Sequence, residues 1–111
     1  MTTLKFTSKT DNTVNFTDTT SVNQDTDLDS TGKTIGYDNT YVTATDANTL
    51  SADAALAING GFLYATFSTK DGGQTWNGEV TGGTGNFKGA TGTVTASATS
   101  PTELAVTVDY S

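Results

Sequence analysis

The sequence predicts an all-β protein, a single small antiparallel closed β-barrel of about eight strands. Apolar residues recur at every second position through most of the chain, turn residues interrupt them about every 8–12 residues, and no helical period persists beyond one turn. Twelve glycines and one proline also favour strands and turns over helices. The 111 residues leave room for one hydrophobic core, so we expect one domain spanning 1–111.

The first two predicted strands lie near the start of the chain. Leu4 and Phe6 share one face of a first strand, and a polar turn is expected over residues 9–12. Val14 and Phe16 then share one face of a second strand. We expect Phe6 and Phe16 to be available to fill the barrel interior.

A polar stretch follows over residues 22–31, which we interpret as a loop or an irregular strand edge. Asp25, Asp27 and Asp29 stand at alternate positions in it, a spacing that resembles the start of an EF-hand loop. The sixth position of such a loop is serine here rather than glycine, and the twelfth is glycine rather than glutamate. We therefore expect solvated carboxylates and no metal site.

Residues 33–45 predict two strands or one bent strand. Alternation places Tyr37 on the face of Ile35, so we expect Tyr37 to point inward and Asp38 outward. A tyrosine inside a barrel could donate a hydrogen bond to a developing oxyanion, although such residues more often lie at a rim or an interface. A turn is expected near residues 46–48.

The clearest hairpin spans residues 50–69. Asn59-Gly60 is the preferred pair for a two-residue type I′ turn, because both central residues need positive φ. A slip of one residue would place Asp53 among apolar groups, so the register is well specified. The predicted inward pairs are Ile58 with Gly61, Leu56 with Leu63, Ala54 with Ala65, and Ala52 with Phe67.

The last third of the chain contains a second turn at residues 70–73, a strand through residues 76–80 and a glycine-rich corner over residues 80–95. Pro101 breaks the chain before a final strand. The alternating apolar residues of that strand are Leu104, Val106, Val108 and Tyr110. The corner is not a phosphate-binding loop, because no Gly-Lys-Ser/Thr ending and no helical pattern follow its glycines. It suits two strands joined at a tight bend whose torsions favour glycine.

This corner resembles a family signature. The segment GGTGNFKGATGTV, residues 82–94, is similar to the GGTG-x-F/Y-x-G-A-x-G-x-V segment of the allene oxide cyclase and dirigent barrels, which are calycin-like. Residues 32–36, GKTIG, resemble the strand entry of the same family, and short uncharacterised bacterial members look closest. Two departures occur: Thr40 stands where many relatives carry a second glycine. Residues 5–7, KFT, replace the region where plant cyclases place a glutamate at the barrel mouth.

The resemblance implies a pocket at one barrel end that holds a small apolar molecule. It also implies that the protein guides a cyclisation or isomerisation by orienting the substrate and excluding water, with no metal or nicotinamide cofactor. The alternative is a non-catalytic barrel with a filled core that serves binding or assembly. A connected apolar void above about 300 Å³ would favour the first hypothesis.

Composition excludes several classes of function. The chain has no cysteine and no histidine, which removes thiolate chemistry, disulfides, the usual zinc ligands and the Ser-His-Asp triad. The formal net charge of −7 argues against nucleic acid and anionic membrane surfaces as partners. No apolar run approaches the about 20 residues of a membrane span. Residues 1–6 lack the apolar core of a signal peptide, which leaves open both a cytoplasmic protein and a secreted chain whose signal peptide has been removed.

The candidate ligand-binding residues lie on the predicted inward faces, where small side chains leave volume between larger ones. They are Tyr37, Ala52, Ala54, Ala65, Phe67 and Trp76. No residue is assigned a catalytic role. Phe62 and Tyr64 fall on the face that we assign outward, and exposed neighbouring aromatics predict an interface in a homo-oligomer, a trimer or a dimer.

Overall fold

The protein is a closed barrel of eight antiparallel strands in a computed structural model that describes residues 1–111. Each strand pairs with the next one along the chain, and the last closes on the first. The strands are β1 (Thr2–Asn15), β2 (Thr20–Leu28), β3 (Thr34–Ala44), β4 (Leu50–Ile58), β5 (Gly61–Thr69), β6 (Thr75–Gly83), β7 (Gly92–Ser100) and β8 (Glu103–Tyr110). The predicted fold class and strand number are confirmed.

The only helix is a 3₁₀ turn at Gly85–Phe87, between β6 and β7. This agrees with the absence of a helical period from the sequence. No helix is long and apolar enough to cross a membrane.

The β4–β5 hairpin has the predicted register at every inward pair. Asn59 and Gly60 have φ values of 50° and 81°, as the type I′ turn requires. Leu56 pairs with Leu63 and the flanking inward pairs follow in step. Because these residues are buried, this hairpin forms one wall of the hydrophobic core.

The glycine-rich corner closes one end of the barrel. Gly85 has a φ of 58°, and a Cβ there would collide with the carbonyl oxygen of Gly60. The chain can therefore turn inward close to the β4–β5 turn, which brings Phe87 into the barrel at 2 % exposure. The Phe87 ring packs edge-on against Tyr110, with centroids 5.4 Å apart. The positive φ of Gly85 agrees with the expectation that the bend has torsions that favour glycine.

The polar turn predicted over residues 9–12 is wrong. β1 runs through this segment and pairs with β2, with a shift of register between Thr10 and Asn12 that marks a bulge. The connection lies at residues 16–19, where the Thr17 hydroxyl accepts hydrogen bonds from two backbone N–H groups. Phe16 is exposed in this turn, so it does not fill the interior.

Of the two interpretations of residues 22–31, a loop or an irregular strand edge, the loop is wrong for most of its length. β2 occupies it as far as Leu28, and the turn to β3 begins only at Asp29. Asp25 and Asp27 are buried on the inward face of β2. Their alternate spacing is the two-residue period of a strand whose inward side chains happen to be acidic.

The predicted orientation of Tyr37 and Asp38 is reversed. Tyr37 is 61 % exposed, whereas Asp38 is buried inside the barrel. The β2–β3 register shifts between Asp27 and Leu28, so Thr34 pairs with Leu28 while Gly36 pairs with Asp27. Ile35, in this irregularity, packs against the core although Gly36 also faces inward. Alternation counted from Ile35 therefore gives the wrong face for the rest of β3.

Candidate functional site

The barrel interior has one polar wall and one apolar wall. Neighbouring strands β1, β2 and β3 contribute the polar wall. Its side chains are Ser8, Thr10, Asn23, Asp25, Asp38 and Thr40. Strands β4 to β8 contribute mainly alanine, valine, leucine and aromatic side chains. A molecule inside the barrel would therefore meet hydrogen-bonding groups on one side only.

A cavity lies between the two walls. Its volume is about 80 Å³, counted as the space open to the centres of water molecules. This is below the about 300 Å³ that we expected of an open ligand pocket. It exceeds several-fold the about 10–15 Å³ that one water molecule needs. The interior is thus partly filled, with room for a compact molecule or a few waters.

Phe87 and the glycine-rich corner around it close one end of the barrel, and we call them the Phe87 plug. The cavity extends toward the opposite end. Thr10, Asn23, Val42 and Leu104 line it there and are only partly buried. At the other end, Phe87 and the neighbouring Ala90 are buried and belong to the hydrophobic core. A ligand would therefore enter at the Thr10 end.

Three aspartates form the chemical centre of the polar wall, and we call Asp25, Asp27 and Asp38 the aspartate cluster. Asp25 and Asp27 are two residues apart on the inward face of β2. Asp38, on the neighbouring strand β3, pairs directly with Asp25. Asp27 is 0 % exposed and Asp25 is 6 % exposed. Asp25 and Asp38 line the cavity, and Asp27 does not.

Hydroxyl groups supply some of the hydrogen bonds that these carboxyl groups need. Ser8 donates to Asp38 Oδ2 over 3.1 Å. Thr40 lies 3.2 Å from Asp38 Oδ1 and 3.3 Å from Asp25 Oδ2. A hydroxyl has one hydrogen, so Thr40 can satisfy only one of these two oxygens at a time.

Three carboxyl oxygens of the cluster have no donor at all. They are Asp25 Oδ1 and both oxygens of Asp27. Asp38 and the hydroxyls of Thr10 and Ser8 lie near Asp25 and Asp27 and influence their pKa values. Ionised carboxylates only accept hydrogen bonds, so a proton on one carboxyl group would supply a donor that the cluster lacks.

The same surroundings raise the pKa of all three carboxyl groups. Burial is the largest cause for each one. Burial and then the adjacent Asp38 raise the pKa of Asp25 to about 8. Burial and the hydrogen bond with Asp27 raise the pKa of Asp38 to about 7, and the pKa of Asp27 is also raised. The cluster therefore exchanges protons near neutral pH, where ordinary carboxyl groups are fully ionised.

No cationic side chain compensates the cluster. The five basic residues are all lysines, and all five are exposed on the outside of the barrel. They are Lys5, Lys9, Lys33, Lys70 and Lys88. No group of three or more histidine, cysteine, aspartate or glutamate side chains is arranged to hold a metal ion.

The structure places four of the six predicted ligand-binding residues in the cavity wall. Ala54, Ala65, Phe67 and Trp76 line the cavity. The Trp76 ring packs edge-on against Phe67 with centroids 5.3 Å apart, and the indole N–H donates to the carbonyl oxygen of Gly73 over 3.1 Å. Ala52 is buried in the small cluster around Trp76 but does not line this cavity.

Tyr37 is not part of the cavity wall. It lies on the outer surface, so its prediction as a pocket residue is wrong. Phe62 and Tyr64 lie outside as predicted, with rings stacked at an angle of 11° and centroids 6.3 Å apart. Phe62 remains 47 % exposed. Tyr37 and Phe62 both pair with Ala57, so these aromatics border one outer face of β3 to β5.

Sequence reasoning missed the whole polar wall. The sequence pattern predicts solvent-exposed side chains for Asp25 and Asp38, and it predicts no functional role for Ser8, Thr10 and Thr40. The signal that could have found them was the alternation of Asp25 and Asp27, because a strand has the same period as the spacing of these residues.

Comparison with known proteins identifies the fold. No protein-family profile matches the chain. No curated protein matches its sequence. A solved structure of pyocyanin demethylase is similar, with a TM-score of 0.77 and 21 % sequence identity. The match covers 99 % of this chain and 100 % of that one. At this identity the likeness shows the fold alone, and the resemblance to the allene oxide cyclase and dirigent barrels has no support from a sequence-family match.

Proposed function

We propose that this barrel binds a small, mostly apolar molecule in its interior and guides an isomerisation or cyclisation of it. The observation that carries the proposal is Asp25, a buried carboxyl group with an unpartnered oxygen on the wall of an otherwise largely apolar cavity. Buried polar groups are normally satisfied, so such an oxygen is a place where a ligand donor gains a full hydrogen bond.

The apolar wall would hold the body of the molecule. Burying its surface against Phe67, Trp76 and the alanines of β4 and β5 gives affinity without direction. The polar wall gives direction, because hydrogen bonds form only on the side of β1 to β3. A reactive molecule would thereby be held in one conformation, which lowers the entropic part of a reaction barrier.

The aspartate cluster would supply acid–base chemistry. With pKa values near 7 and 8, Asp38 and Asp25 can be present as one acid and one base. The base removes a proton from one atom of the substrate while the acid delivers a proton to another, so an isomerisation leaves the total number of protons unchanged. No cofactor is required for this exchange.

The structural comparison supports this proposal in a limited way. Pyocyanin demethylase bears the name of an enzyme, and it has a similar fold over 99 % of this chain and 100 % of its own. An enzymatic site in a barrel of this size is therefore reasonable for the present chain.

The small cavity favours a second candidate function. At about 80 Å³ the interior is closer to a filled core than to an open calyx. A non-catalytic barrel that serves binding or assembly accounts for this volume, but it gives no role to three buried carboxyl groups without counter-charges. The exposed aromatics Phe62 and Tyr64 would then be the functional surface.

The proposed assembly is a homo-oligomer, a trimer or a dimer, that buries the stacked Phe62 and Tyr64. Exposed aromatic pairs are enriched at interfaces relative to the rest of a protein surface. This assembly is compatible with either function, because the interface lies on the outside of the strands that line the cavity.

A cavity-filling variant tests the proposed function. In Ala54→Trp, the indole occupies the cavity from the apolar wall, so we expect binding of a hydrophobic fluorescent probe to fall at least about tenfold. Ala105→Trp is the matched control, because Ala105 is exposed on the outer face of β8. Equal probe binding by wild type and a correctly folded Ala54→Trp variant would show that the interior is not the binding site.

A further inference from the structure

We infer that the interior ligand carries a cationic nitrogen, as in a protonated amine, on a compact apolar body. This inference rests on the proposed function, since it names the chemical class of the molecule that the cavity takes. It is drawn from the charges inside the barrel and from the oxygens that have no partner.

The interior of the barrel holds acidic groups and no basic group. Asp25, Asp27 and Asp38 bring three acidic groups into the interior, and no lysine reaches them. Burying a carboxylate without an opposite charge costs several kcal/mol. The protein can lower this cost by keeping protons in the cluster, or a ligand can lower it by bringing a positive charge.

The unused hydrogen-bonding positions on the polar wall are acceptor oxygens. Ser8 donates to Asp38, and the one hydrogen of Thr40 serves either Asp38 or Asp25. No hydroxyl, that of the nearby Thr10 included, makes a hydrogen bond to Asp25 Oδ1. An ammonium group has donors and no acceptor, which suits a wall whose unused positions are acceptor oxygens. A ligand anion or a ligand carbonyl oxygen is itself an acceptor, so it would face the acceptor oxygens of the cluster. It could form a hydrogen bond only with a carboxyl group that is protonated.

The wall around the aspartate cluster brings no other titratable group into the cavity. The groups of β1 that face the cluster are the uncharged Ser8 and Thr10, and β4 to β7 bring no titratable group into the cavity. Tyr110, a partly buried titratable residue of β8, packs on Phe87 at the plugged end and does not line the cavity. The field at the site is thus set by the three carboxyl groups alone.

Binding of a cation should therefore displace protons. At pH 6 the cluster holds protons that a bound ammonium group makes unnecessary, because an adjacent positive charge lowers the pKa of a carboxyl group. We expect proton release on binding and an affinity that increases between pH 6 and pH 8.

Three small probes with the same body test the inference. Benzylamine carries a cation at neutral pH, benzyl alcohol carries a neutral hydroxyl and toluene carries neither. We expect calorimetry or protein NMR at pH 8 to show benzylamine binding at least about tenfold more tightly than benzyl alcohol. In Asp25→Asn this preference should be lost, and in the exposed control Asp53→Asn it should persist.

A second measurement needs no variant and covers the case in which Asp25→Asn does not fold. The binding enthalpy of benzylamine to wild type at pH 6, measured in buffers of different ionisation enthalpy, should report proton release. Equal affinity for benzylamine and benzyl alcohol would overturn the cation inference while leaving interior binding intact. Absence of proton release would also overturn it. No binding of any of the three probes would overturn the proposed function as well.

Discussion

At the scale of single residues, the pKa shifts of the aspartate cluster predict an unusual pH dependence of stability. Asp25 and Asp38 have pKa values of about 8 and 7 in the folded chain, against an ordinary value of 3.8. Between these values the folded chain binds more protons than the unfolded chain. This contribution to stability is therefore fully present below pH 4 and is lost progressively as the pH rises toward 8.

Replacing Asp25 by asparagine should remove part of this loss. The amide is nearly the same size and carries no charge, so we expect Asp25→Asn to raise the free energy of unfolding at pH 8 by about 1 kcal/mol or more. At pH 4 it should change little, because the aspartate is then protonated. Urea unfolding at both pH values measures the effect.

The control for this prediction is Asp53→Asn on the exposed face of β4, which changes net charge equally. If both variants gain the same stability at pH 8, the effect comes from the overall charge of −7 rather than from burial of Asp25.

At the scale of structural elements, the plug depends on one glycine. Gly85 has positive φ, and a side chain there would also collide with Gly60. We expect Gly85→Ala to destabilise the protein by more than about 1 kcal/mol. Gly89→Ala is the matched control, because Gly89 has a φ of 76° but open space around it.

The difference between the two glycine variants isolates the collision from the torsional strain. Thermal unfolding should give a clearly lower Tm for Gly85→Ala than for Gly89→Ala. Equal losses would mean that strain alone matters and that the approach of the plug to the β4–β5 turn is not tight.

The same elements show what the sequence could predict. The β4–β5 hairpin was predicted in full register, since Asn59-Gly60 determines the turn and its inward residues are apolar. β2 was missed because its inward residues are acidic, and a pattern of hydrophobicity gives no signal for a strand that buries aspartates. Tyr37 was misplaced because the irregularity at Ile35 changes which face alternate residues occupy, and nothing in the local sequence marks that irregularity.

At the scale of the whole molecule, the outer aromatics predict self-association. We expect sedimentation equilibrium to show a homo-oligomer, and Phe62→Ser with Tyr64→Ser to shift it toward monomer, because the stacked pair would then no longer be buried. Tyr41→Ser, on the same outer side of the barrel, is a control for loss of an exposed aromatic away from that pair. A wild-type monomer at high concentration would contradict the proposed interface.

The whole barrel also sets how specific its site can be. Because the carboxyl groups occupy only the β1–β3 wall and the plug closes one end, a bound molecule has one polar direction and one route of access. Such a site would bind few molecules other than compact ones with a donor or cationic end. This selectivity depends on a buried aspartate cluster that holds and exchanges protons near neutral pH.

Titration of the side-chain carboxyl ¹³C resonances by NMR tests this claim most directly. We predict that the resonances of Asp25 and Asp38 move with midpoints near pH 8 and pH 7, and that the midpoint of Asp27 is also raised. Asp29, in the turn between β2 and β3, should titrate below its ordinary range, because Thr31 and the backbone N–H groups of Thr31 and Lys33 donate to it. Midpoints near pH 4 for all three cluster residues would contradict the account.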